Sequence, residues 1–165
     1  MRFTRWGFGS FLLSVASLAC AAPRDDAVVS VTVHKALRGQ AVVYVYRVKN
    51  NGAPPIVGFT VGFDPATGDP ELTGHFPVPS TPTGWKVSII RLEESDRFEI
   101  FWEAQGSAAA LRAGSVSPPF RIKTVGDHSI YQKGHWMVRI DGSPTHVSGR
   151  FLQRPSQKRR VTSPR

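Results

Sequence analysis

Ala41-Val42-Val43-Tyr44-Val45-Tyr46-Arg47-Val48-Lys49-Asn50-Asn51-Gly52 is the stretch that decides the fold class. Val42, Tyr44, Tyr46 and Val48 recur at every second position, and Arg47 and Lys49 occupy positions between them. Side chains alternate faces along an extended chain, so this pattern predicts a strand with one face in a core and the other toward water. Asn50-Asn51-Gly52 ends it, because left-handed backbone angles cost little at such residues.

The same rhythm spreads outward from this strand. Val29, Val31 and Val33 alternate with Ser30, Thr32 and His34 on its N-terminal side. After Pro54-Pro55, a third strand places Val57, Phe59, Val61 and Phe63 on one face and Gly58, Thr60 and Gly62 on the other, where the glycines predict a close neighbour or a bulge. Asp64 to Thr83, rich in Pro, Gly and acidic residues, reads as the longest loop. Trp85 to Leu92 and Phe98 to Glu103 flank the charged turn Glu93-Glu94-Ser95-Asp96-Arg97 as a hairpin. In its second arm Phe98, Ile100 and Trp102 share the core face, and Glu99, Phe101 and Glu103 the solvated one. Ala108-Ala109-Ala110-Leu111 reads as a turn of helix ended by Gly114, too short to stand alone. Phe120, Ile122 and Thr124, and then Trp136, Val138 and Ile140, supply later strands. About seven strands with frequent turns predict an all-β, two-sheet antiparallel sandwich.

Charge has to be placed along the chain before it is interpreted. Of the 21 Lys and Arg, Arg2 and Arg5 stand at the N-terminus and six stand from Arg150 onward, leaving 13 against all 12 Asp and Glu. The central domain is therefore nearly neutral. Its composition argues against a basic groove over the fold and against nucleic acid as a partner.

Met1 to Arg5 carries two positive charges, and Trp6 to Ala22 carries none. Ala19-Cys20-Ala21 offers small residues where a signal peptidase accepts them, which predicts a signal peptide over 1–21, a sandwich domain over 22–149 and a basic, disordered tail over 150–165. About 140 residues then remain, enough for one self-sufficient core. An uncleaved anchor is disfavoured by the short apolar run interrupted by Gly7, Gly9 and several serines. Cys20, the only cysteine, is also a lipidation candidate, although Leu18 stands one position late for a lipoprotein signal. In either case the folded domain has no disulfide. The expected location is the periplasm or the extracellular space, with a lipid-anchored form as the alternative.

Tyr44-Val45-Tyr46-Arg47-Val48-Lys49-Asn50-Asn51-Gly52, the Pro-Ile entry to the next strand, and Leu111-Arg112-Ala113-Gly114-Ser115 before Phe120 resemble immunoglobulin-like sandwich modules of secreted bacterial proteins. The resemblance covers about half of the chain and concerns strand ends and turns. It implies the sandwich fold and a bias toward adhesion, assembly or ligand display. The paired cysteines of immunoglobulin domains proper are missing.

Catalytic constellations fare poorly. Glu99 and Glu103 share a strand face, but four residues at about 3.3 Å each separate them by about 13 Å, beyond the spacing of a glycosidase pair. No Gly-x-Ser-x-Gly elbow occurs, and Gly126-Asp127-His128-Ser129 reads as a polar turn because triad members converge from separate segments. His34, His75, His128, His135 and His146 are scattered without zinc-ligand spacing. Asp64, Asp69 and Glu71 around Gly68 are calcium candidates, though without the dense alternation of a calcium loop. Trp85 and Trp136, at strand entrances, are candidates for a sugar-binding platform, against the alternative that they fill the core.

The expectation is an exported, non-catalytic protein without a cofactor, binding a protein or cell-envelope component. A carbohydrate-binding module using Trp85 and Trp136 is the alternative, and a hydrolase built from loop carboxylates a more distant one. The tail adds charge for loose contact with anionic surfaces.

Overall fold

Strands begin where the alternation begins and stop at the glycine and proline punctuation. The computed structural model describes residues 29–52, 54–144 and 146–151. The expected signal segment, Cys20 and the tail beyond Phe151 lie outside the described residues. The elements are β1 (Val29–Arg38), β2 (Ala41–Asn50), β3 (Ile56–Val61), β4 (Phe63–Asp64), β5 (Asp69–Pro70), β6 (Val78–Pro79), β7 (Trp85–Arg91), β8 (Phe98–Ala104), β9 (Phe120–Val125), the single turn α1 (Ile130–Lys133), β10 (His135–Ile140) and β11 (His146–Arg150).

Two antiparallel sheets form, ordered β1-β2-β9-β6 and β11-β10-β3-β8-β7, with β4 and β5 as a separate small ribbon. The consecutive strands β2 and β3 are split between the sheets. So are β9 and β10, which return beside them: β9 pairs with β2 and β10 with β3. This is the immunoglobulin arrangement, extended by β8 and β7 next to β3.

The inward faces meet where the period-two pattern places them. Tyr44, Tyr46 and Val48 of β2, Phe98, Ile100 and Trp102 of β8, and Phe120 and Ile122 of β9 are fully buried. Phe120 is the hub of the core, with ring centroids 5.3 Å from Phe59, 5.2 Å from Trp102 and 4.9 Å from Trp85. Side chains of this size contribute about 1.5–3 kcal/mol each on full burial.

In β3 the pattern needs a correction. Pairing with β10 shifts register between Arg139 and Ile140, so Ile140 faces Ile56. The irregularity turns Ile56 into the core, 1 % exposed, and leaves Val57 only half-buried. The close neighbour predicted by the glycines is Leu72, since a Cβ built on Gly62 would lie 2.2 Å from its Cγ, and φ is +85° there.

Asn50-Asn51-Gly52 is a corner between sheets, and neither asparagine takes positive φ. The buried Asn50 side chain supplies the turn instead. Its Nδ2 donates to the carbonyls of Pro54 and Leu111, each at 2.8 Å, and its Oδ1 accepts the Gly52 amide at 2.9 Å. Leu111 consequently bridges to Ile56 in place of the expected helical turn. The segment over 64–83 is also more ordered than a plain loop, containing the end of the β4-β5 ribbon and β6, which pairs with β9.

Candidate functional site

Both tryptophans offered as a sugar platform belong to the core. Trp85 alternates inward with Val87 and Ile89 on β7 and is 2 % exposed, edge-on to Phe120. Trp136 alternates with Val138 on β10 and is 4 % exposed. A Cβ at Gly149 of the neighbouring strand would lie 2.5 Å from the Trp136 ring, so the missing side chain makes room for the indole. A stacking platform needs an open ring face, and neither indole has one. The carbohydrate reading of Trp85 and Trp136 is therefore corrected.

The calcium candidates do not converge either. Asp64 and Asp69 face each other across the β4-β5 ribbon, and Asp64 Oδ1 accepts the Ala66 amide. Glu71 turns away to His135, its Oε1 taking the backbone amide at 2.5 Å and its Oε2 lying 3.0 Å from Nδ1. Among the described residues no three His, Cys, Asp or Glu gather as a metal site.

Glu71 and His135 do form an acid–imidazole pair that sequence spacing does not suggest. The far nitrogen of the ring, Nε2, accepts from Arg150 Nε at 2.6 Å. An imidazole accepting at Nε2 carries its proton on Nδ1, directed at Glu71. The nitrogen that would serve as a base is thus already engaged, which makes the group a clasp tying β10 and β11 to the Glu71 segment.

A second polar clasp joins Asp127 to β1 and β2. Tyr44 Oη donates to Asp127 Oδ1 and accepts the His128 amide, both at 2.8 Å, and Lys35 Nζ approaches Asp127 Oδ2 at 2.6 Å. Burial pushes the Tyr44 hydroxyl up to about 12, and the bond to Lys35 lowers the Asp127 carboxyl. Glu99 also departs from expectation. Strand alternation predicts a solvated face for it, yet it is buried, and burial raises its carboxyl to about 7.

The outward face of the four-stranded sheet is the arrangement that charge counting misses. Alternation places Arg47, Lys49, Arg121 and Lys123 there, because Tyr46, Val48, Asn50, Phe120, Ile122 and Thr124 beside them point inward, and register adds Arg38, which stands opposite Ala41 on the same side. No acidic residue occurs in β1, β2, β6 or β9. Among the described residues, none of the five cations takes part in an ion pair. The domain's acids lie elsewhere, for example Glu93, Glu94 and Asp96 in the β7-β8 turn. Near-neutrality overall therefore conceals a segregated surface, and the expectation that no basic groove crosses the fold is corrected.

The face is dished as well as basic. An open depression of about 510 Å³ is lined by Ala36, Arg38, Val43, Val45, Val78 and Lys123 among others. Val78 is 68 % exposed and Val125, at the end of β9, 84 %. Unpaired cations beside uncovered aliphatic groups attract an anion at long range and reward apolar burial at short range.

No family model and no curated protein matches the chain. Among solved structures, the chain is similar to an uncharacterized protein from Nocardia farcinica whose crystal structure is described as revealing an immunoglobulin-like fold, at 17 % identity over 76 % of this chain and 86 % of that one, with a TM-score of 0.48.

Proposed function

We propose that this chain is an exported, non-catalytic binding module whose outward β1-β2-β9-β6 face holds an anionic protein or envelope component. The observation that carries the reading is the segregation of charge: Arg38, Arg47, Lys49, Arg121 and Lys123 share one face with no acid on its strands. Cations near an anionic surface contribute on the order of 1 kcal/mol each. The basic segment from Arg150 onward adds to the same attraction.

Pull-down from a cell-envelope extract tests this reading. The wild-type protein recovers an acidic component, and recovery falls as salt rises because exposed charges are screened within about 8 Å at physiological ionic strength. Arg121→Glu with Lys123→Glu reverses the sign at the centre of the face and abolishes recovery. Equal recovery by wild type and double variant would overturn the assignment of the face. Mass spectrometry of the secreted protein checks export, with Ala22 expected as the first residue.

A further inference from the structure

Building on that binding face, we propose that its occupant is an extended polypeptide segment in which carboxylate and aliphatic side chains alternate. Two parallel columns of side chains carry the argument. On β2, Val43 and Val45 point outward, and directly opposite them on β9 stand Lys123 and Arg121. Members of each column are two residues apart, about 6.6–6.8 Å, while the columns are about 4.8 Å apart. An extended chain laid along this seam sends its side chains left and right with the same two-residue repeat. Every second side chain then covers a valine, and those between meet a cation.

Lateral walls complete the seat. Ala36 continues the row of Val43 and Lys123 on the β1 side, and Val78 closes it on the β6 side. The apolar part of this floor is aliphatic, with no Phe, Tyr or Trp among the outward positions of these strands. Sugar rings favour flat aromatic partners, so the floor suits aliphatic side chains better than a glycan. A bilayer surface is broad, whereas the depression of about 510 Å³ has the scale of a few residues. The occupant is recognised by its alternation and not by its net charge alone.

Amide-resolved NMR titration of the full-length protein decides this with a hexapeptide alternating Glu and Val, blocked at both ends. Its comparators are a Glu-Ser alternating peptide, a peptide with three Glu followed by three Val, alginate, and phosphatidylglycerol vesicles. The alternating Glu-Val peptide is expected to perturb Val43, Val45, Arg121 and Lys123 and to bind about tenfold more tightly than the Glu-Ser or block peptide, as expected for covering two valines. Val43→Ser with Val45→Ser removes that preference while leaving weak binding of all anions, and an unchanged spectrum outside the face shows that this variant is folded. Equal binding of the alternating, Glu-Ser and block peptides overturns the inference and leaves the anionic face standing. Tighter binding of alginate or vesicles at the same residues also overturns it, by assigning the face to a glycan or a membrane. A face that responds to no anion removes both this inference and the function on which it rests.

Discussion

Tyr44 and Asp127, one in the second strand and the other in a loop late in the chain, are joined by a 2.8 Å hydrogen bond at the edge of the core. The same hydroxyl accepts the His128 amide, so removing it leaves a backbone donor and a carboxylate oxygen without that partner. Tyr44→Phe is expected to lower stability by about 1–3 kcal/mol in urea unfolding. A midpoint and slope unchanged from wild type would show that the clasp contributes nothing. The lowered Asp127 carboxyl adds stability above the usual carboxylate range, which is lost as pH falls through its folded value. That acid limb should disappear in Asp127→Asn.

Glu99 has the opposite linkage. Burial raises its carboxyl from 4.5 to about 7, so the folded protein favours the protonated acid. Stability should therefore fall as pH rises from about 4.5 toward 7, then level off once the folded carboxyl is ionised. Among the described residues, Glu99 Oε2 has no hydrogen-bond partner, which is the physical source of the cost. Glu99→Gln should flatten the profile and stabilise the protein by about 1–3 kcal/mol at about pH 8. Parallel pH profiles for wild type and variant would contradict the assignment.

Trp85, Trp102 and Trp136 should emit at short wavelength and resist acrylamide quenching, measured in a Trp6→Phe background. Strong quenching would contradict their burial. Gly149→Val should cost at least about 2 kcal/mol, because its side chain enters the space held by the Trp136 ring. Thermal unfolding reads this directly, and a wild-type midpoint would count against the packing described.

Calcium at millimolar concentration should leave the unfolding temperature unchanged. Glu71 is committed to His135, and Asp64 to a local turn, so closing three carboxylates on an ion would break existing bonds. A rise with calcium, abolished in Asp69→Asn, would restore the metal reading of this segment. Glu71→Ala is expected to destabilise by about 1–2 kcal/mol through loss of a half-buried acceptor.

Legibility in the sequence follows the range of the cause. Alternation is local, so the order of residues alone assigns Tyr44, Tyr46, Ile100, Trp102 and Ile122 to a core. The same alternation argues for burial of Trp136, through its kinship with Val138, more strongly than its place at a strand entrance argues for exposure. Glu99 escapes such reasoning because strand period says which face a residue takes and not whether that face is covered. The basic face is hidden for a related reason. Net charge is a single sum, whereas Arg121 and Lys123 reach Val45 and Val43 only through a pairing of strands far apart in sequence. The single turn around Tyr131 has no periodic signature at all, since four residues are too few to show one.

That distant pairing also sets when the molecule can close. Ala41 finds one of its two cross-strand partners in the nearby Arg38 but the other only in Val125, and Phe59 finds one of its two in Val138, so neither early strand has a complete set of neighbours until the chain is almost finished. Pairings of such separation form slowly. The β1-β2 and β7-β8 hairpins can pair as soon as they are made, whereas the two layers would lock over one another only after β9 and β10 have followed.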